Sequence, residues 1–171
     1  MFGHSRVRVV ALSGALLTFA ASAGHAQTSE PCGPFTVTSP GQPFSVKYLD
    51  FGENGPSFGD MRIGHRDDVV NEAGDPVGHL RWIVISLDEP PGSDQQGERH
   101  LSLSLNLRGG QIHASALLEE IRPSDDTTQP GVNDYSAAVV GGTGAYNFAR
   151  GSVDASFDGT AGTFAFDIAC D

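Results

Sequence analysis

The sequence predicts an all-β domain, an antiparallel barrel or sandwich, on three observations. Apolar and polar residues alternate with period two along several runs, no window shows clean helical periodicity, and turn residues punctuate the runs at short intervals. Alternation of this kind puts one face of a strand against a core and the other toward solvent. The composition agrees: Gly, Ser, Asp and Thr are abundant, helix formers are scarce, and Lys47 is the single lysine.

Residues 1–26 stand apart from this pattern. Arg6 and Arg8 precede an uncharged run from Val9 to Ala23 centred on Leu12, Leu16, Leu17 and Phe19. Gly24-His25-Ala26 then forms a small-x-small cleavage site, so the segment reads as a signal peptide. The apolar run is short of the ~20 residues that cross a bilayer, which weighs against an anchor. The expectation is a protein exported to the periplasm or secreted, with one domain over residues 27–171 and no membrane contact once the leader is gone.

Within that domain the strands fall at roughly 35–38, 44–50, 59–66, 77–88, 99–108, 111–120, 134–141 and 147–157, with 162–169 last. The clearest is the run in which Leu101, Leu103, Leu105 and Leu107 alternate with Ser102, Ser104, Asn106 and Arg108. Val153, Ala155 and Phe157, and then Phe164, Phe166 and Ile168, repeat the pattern. Gly109-Gly110, Asp158-Gly159 and Ala161-Gly162 are hairpin signals. Pro90 to Asp94 and Pro123 to Gly131 read as longer polar loops. Cys32 and Cys170 are the two cysteines. An even count in an exported chain favours a disulfide, here one that closes nearly the whole domain, and no C-x-x-C spacing supports a redox pair.

Charge excludes one class of partner. Loss of the leader removes two arginines and no acid, taking the formal charge from −11 to −13. A surface that acidic repels phosphate backbones, so no nucleic acid is expected. The glycines of Val139-Val140-Gly141-Gly142-Thr143-Gly144 lack the Gly-Lys-Ser/Thr ending of a P-loop, and Asn147 stands where a dinucleotide fingerprint needs glycine. They are expected to allow a tight bend or bulge between strands. His65, His79, His100 and His113 show no metal-ligand spacing, and no Gly-x-Ser-x-Gly elbow is present. Carboxylates are many, among them Asp50, Asp60, Asp67, Asp68, Glu72, Asp75, Glu119, Glu120 and Asp154. One of them facing a barrel interior would be a candidate acid.

The stretch Val139 to Gly151, read V-V-G-G-T-G-A-Y-N-F-A-R-G, resembles the signature of the dirigent proteins, and more broadly the chain is similar to the allene oxide cyclase-like barrels. Phe58-Gly59-Asp60, Asp67-Asp68, Glu72-Ala73-Gly74 and Val77-Gly78 agree in order, as does Phe44-Ser45 followed by Asp50. Pro31-Cys32 and Cys170 match the disulfide of some members. The chain departs at Leu49, where the early motif has histidine, at Ala145, where an acid is common, and at His79, where arginine is expected.

The resemblance implies an eight-stranded antiparallel barrel with an apolar lumen, assembly as a homotrimer, and no cofactor. It implies an isomerase, cyclase or stereocontrol protein acting on a small apolar or phenolic molecule. By position, Asp50 would be the acid or electrostatic stabiliser and Arg150 the oxyanion anchor. Tyr48 and Tyr146 would be ligand-binding lumen hydroxyls. Two other readings stay open: a barrel that binds an apolar ligand without changing it, and a structural exported protein whose lumen is filled by its own Leu and Phe side chains.

Overall fold

The computed structural model describes residues 32–41, 45–52, 57–87, 98–119, 134–158 and 161–170. The segment read as a signal peptide, residues 1–26, and the stretches 90–94 and 123–131 expected as polar loops lie outside the described residues. Nine strands are present: β1 (Gly33–Ser39), β2 (Ser45–Leu49), β3 (Met61–Asn71), β4 (Pro76–Ser86), β5 (Glu98–Leu107), β6 (Gly110–Glu119), β7 (Tyr135–Gly144), β8 (Ala149–Asp158) and β9 (Ala161–Cys170). No helix occurs among the described residues.

Every pairing is antiparallel, in the order β1-β9-β8-β7-β6-β5-β4-β3-β2, and a further pairing of β1 with β3 closes the sheet on itself. The choice between barrel and sandwich is thereby decided for the barrel. β1 and β2 lie in succession along one edge of β3: Thr38 pairs with Val70, and Ser45 to Leu49 pair with His65 to Met61. They serve as two halves of one barrel strand, so nine segments make an eight-stranded barrel. Closure spares the sheet two long exposed edges.

The interior face follows the alternation read from sequence. Leu101, Leu103 and Leu105 of β5, Val153 and Ala155 of β8, and Phe164, Phe166 and Ile168 of β9 are all buried. Each fully buried Leu or Phe contributes roughly 1.5–3 kcal/mol relative to an exposed one. Phe35 stacks on Phe166 with ring centroids 4.9 Å apart, and Phe157 meets Phe164 edge to face at 5.8 Å.

The seam where β1 meets β3 is short in backbone pairing but tied by side chains. The Arg66 guanidinium is 3% exposed and grips Asp68 through both arms, Nε to Oδ1 at 3.0 Å and a terminal nitrogen to Oδ2 at 2.9 Å. A terminal nitrogen also donates to the Pro40 carbonyl at 2.9 Å, and the Ser39 hydroxyl donates to Asp68 at 2.8 Å. The paired arginine and serine hold the Asp68 carboxyl below the usual carboxylate range, against the opposing effect of burial.

The two ends of the barrel differ. At one, three tight turns join β3 to β4, β5 to β6 and β7 to β8. The glycine motif lies here. Val140 is an extra residue opposite the His113/Ala114 step, and Gly144 has φ +62°, which a side chain would strain. A Cβ on Gly142 would sit 2.3 Å from the Tyr146 carbonyl oxygen. The Cys32–Cys170 disulfide, with Cα atoms 5.7 Å apart, fastens β1 to β9 at this same turn end. From the opposite end run the longer connections, which makes it the loop end.

Candidate functional site

Register places a band of polar side chains inside the loop end. The row Tyr48–Arg62–Val84–Leu101–Ala116 crosses β2 to β6, and Leu101 fixes it as inward-facing. One step toward the loop end, Ser86, Arg99 and Leu118 share the next inward row. Asp60 extends that row onto the start of β3, where its carbonyl accepts the Ser86 N–H at 2.9 Å. Tyr135 opens β7 on the inward face opposite Ala155. One step deeper, Trp82 lies opposite Gly64. A Cβ on Gly64 would stand 2.0 Å from the indole, so the ring lies across this strand because the residue there is glycine.

Asp60 is the best-held group of the band. It is 2% exposed, and its carboxylate accepts the Tyr48 hydroxyl at 2.6 Å, the Phe51 N–H at 3.0 Å, the Ser57 N–H at 2.8 Å and the Ser57 hydroxyl at 3.0 Å. Burial alone pushes its carboxyl up, but those four donors outweigh burial and bring it down to about 2. Tyr48 is moved the other way, to about 12, by burial and by the hydrogen bond and negative charge of Asp60. The pair is therefore a neutral phenol bound to an ionised carboxylate across the neutral pH range. Burial also raises the Tyr135 hydroxyl above its ordinary value.

Arg99 is 8% exposed among these groups, and a guanidinium remains charged wherever it is buried. The rim is aromatic. Phe51 and Phe58 are 63% and 65% exposed, on the segment that joins β2 to β3 and carries the backbone donors to Asp60. The loop end thus combines exposed aromatic surface, an inward polar band with both signs of charge, and an apolar interior below. Polar groups placed in this way can fix a small molecule by a few directional contacts.

The residues singled out from sequence are distributed between the two ends. Tyr48 lies in the band. Asp50 is exposed just beyond β2 at the loop end, where its carboxylate accepts the Gly52 N–H at 3.3 Å. Arg150 is exposed on β8 at the turn end, so it and Asp50 are at opposite ends of the barrel. Tyr146 is buried at the turn end, in the apolar cluster, where it closes the barrel floor. Cys32 and Cys170 are joined. Asp60 stood in the sequence as one carboxylate among many, with only its Phe58-Gly59-Asp60 context to mark it. Trp82, Arg99 and Tyr135 belong to no motif in the sequence. Trp82 is the only tryptophan in the chain, and Arg99 breaks the apolar phase of the leucine strand; both signals were present.

Elsewhere, Pro34, Thr36, Glu72, Asp154 and Asp167 line a shallow outer groove of about 330 Å³. Among the described residues no group of three or more His, Cys, Asp or Glu side chains could hold a metal ion.

No protein-family model matches the chain, and no curated protein matches it by sequence. Solved structures do. A pyocyanin demethylase superposes with TM-score 0.61 at 22% identity, covering 80% of this chain and 99% of its own. A Diels–Alderase from Streptomyces koyangensis gives TM-score 0.52 at 17% identity. A haem-binding cyclase that catalyses [4 + 2] cycloaddition in neoabyssomicin biosynthesis gives 0.55 at 16%. The chain spans 61% of the length of each of the latter two. At these identities the likeness shows the fold alone: the chain shares the antiparallel β-barrel architecture of these structures.

Proposed function

We propose that this protein is a cofactor-independent barrel that receives a small apolar or phenolic molecule at its loop end and steers its isomerisation or ring closure. The observation that carries the reading is the inward band of Tyr48, Asp60, Arg62, Ser86, Arg99 and Tyr135 set above an apolar interior and below an aromatic rim. Such reactions redistribute bonds within one molecule. They need no external oxidant or reductant, only orientation, exclusion of water and a few groups placed where charge develops. The apolar interior and Trp82 would hold the carbon skeleton. Inward guanidinium groups would stabilise negative charge on a ligand oxygen, and the Tyr48–Asp60 pair would fix a polar substituent.

Two sources of likeness support this. The Val139–Gly151 stretch resembles the dirigent signature, and two of the structural neighbours are named for ring formation, a Diels–Alderase and a cyclase that catalyses [4 + 2] cycloaddition. Export by the leader and a homotrimer belong to the same proposal. The outer face near the loop end, with Met61, Ile63, Ile83, Ile85 and Leu117 in adjacent register rows, is the surface a trimer would cover. A non-catalytic ligand carrier is the second reading, favoured by Leu49 and Ala145 standing where the dirigent signature has a histidine and an acid, whereas the Leu80, Leu103, Leu105 and Phe164 side chains that fill the barrel below the band favour the structural reading.

Native mass spectrometry of the protein from its exported fraction, before and after mild denaturation, tests the proposal. A small molecule released on unfolding, then converted by the wild type and much more slowly by Asp60→Asn and Arg99→Met, is the expected result. Conversion unchanged in both variants would remove the loop end from the mechanism. Release without conversion would favour the carrier.

A further inference from the structure

From the direction of one hydrogen bond we infer that the loop-end site recognises a ligand hydrogen-bond donor, a phenolic or enolic O–H or an equivalent N–H carried on a flat apolar ring. The inference rests on the proposed loop-end site and specifies what that site selects.

A tyrosine hydroxyl has one proton and, beyond it, only acceptor capacity. In this barrel the Tyr48 proton is committed: it points at Asp60 Oδ2 across 2.6 Å. The commitment is enforced from behind, because Phe51 N–H, Ser57 N–H and the Ser57 hydroxyl all donate to the same buried carboxylate and keep it an acceptor. Asp60 cannot turn away, and it is 2% exposed, so a ligand does not reach it directly. Tyr48 is the exposed member of the pair at 47%. What it presents is therefore an oxygen lone pair, made more electron-rich by the ionised partner behind it. A ligand with a proton to give satisfies that oxygen. An ether or ketone of the same shape sets lone pair against lone pair. Phe51 and Phe58, exposed on the segment that supplies Asp60 with donors, offer aromatic surface at the same end of the barrel. A site built around a hydrogen bond discriminates against analogues that lack it far more sharply than an apolar pocket discriminates by a methyl group.

The experiment is calorimetric titration of the full mature protein with a matched pair, 2-naphthol and 2-methoxynaphthalene. Wild type is expected to bind 2-naphthol at least about tenfold more tightly. Tyr48→Phe should bring the two probes within about twofold of each other, by weakening 2-naphthol and sparing the ether its lone-pair repulsion. Asp60→Asn, which lets residue 60 donate to Tyr48, should also shrink the preference, and unchanged Trp82 emission would show that the variant keeps its fold. Raising the pH until the probe's own hydroxyl ionises should abolish its advantage, which separates donation by the ligand from attraction of an anion by arginine. Equal binding of both probes, tighter binding of the ether, or a preference that survives Tyr48→Phe overturns the inference and leaves the proposed site standing. Binding of neither probe overturns both.

Discussion

At Asp60 four neutral donors converge on one buried carboxylate, and the consequence is a charge built into the wall of the barrel. Its folded pKa of about 2 lies below the ordinary value of ~3.9. Its contribution to stability is therefore fully present above about pH 4 and is lost as the pH falls through 2. Asp60→Asn should cost about 1–3 kcal/mol at neutral pH, since an amide satisfies fewer of the donors, and should flatten the acid limb of a stability-against-pH curve. An identical acid limb in both proteins would show that the carboxylate is not held as described. Gly64 tests the same wall from the other side. Gly64→Ala would place a methyl group 2.0 Å from the Trp82 ring, so the indole must move. The expected outcome is a loss of about 1–3 kcal/mol with a shift in tryptophan emission. Unaltered emission would mean that the ring does not lie over this strand.

Among the elements, the β1–β3 seam is where the barrel is most dependent on side chains. Two backbone register pairs and the Arg66–Asp68–Ser39 cluster close it. Arg66→Met removes the cation from Asp68 and from the Ser39 and Pro40 carbonyls. Because Asp68 is partly exposed, the loss is expected on the order of 2 kcal/mol, below that of a fully buried pair. Amide hydrogen exchange should then rise first in β1 and β3 and last in β5 and β9; uniform exchange would argue against a weak seam.

The strands that were legible in the sequence are those where one face is apolar throughout. β5, with leucine at every second position, and β9, with Phe164, Phe166 and Ile168, could be read directly. β3 runs to Asn71, five residues past its predicted end, because the register shift between Arg66 and Val69 breaks the alternation that pattern reading follows. β8 begins at Ala149 because residues 145–148 form a turn, closed by the Ala149 N–H on the Tyr146 carbonyl at 3.0 Å. That turn puts Tyr146 in the floor of the barrel. The candidate site was less legible than the fold for the same reason: strand parity says which residues share a face, but only closure and burial show which Asp, Arg or Tyr is near the loop end. Tyr48 could be named from sequence, whereas its partner Asp60 could not be picked from the other acids.

For the whole molecule, the disulfide and the polarity between the two ends are the governing features. The Cys32–Cys170 bond spans 138 residues. On the chain-entropy model its removal by Cys32→Ala with Cys170→Ala should cost ~4–5 kcal/mol, read as a lower denaturant midpoint. A loss much smaller than that would mean the unfolded chain is already compact. The turn end is tied by that bond, by tight glycine turns and by the buried Tyr146. The loop end carries the exposed aromatic rim and the ionised Asp60. The proposed function belongs to the loop end, and backbone amide chemical-shift mapping of the protein, titrated with 2-naphthol, tests that proposal most directly. The account predicts perturbations at Tyr48, Asp60, Ser86, Arg99, Leu118 and Tyr135 and at the Trp82 indole N–H, with Gly141 to Ala149 unchanged. Shifts confined to the turn end or to the outer groove around Thr36 and Asp154 would contradict it.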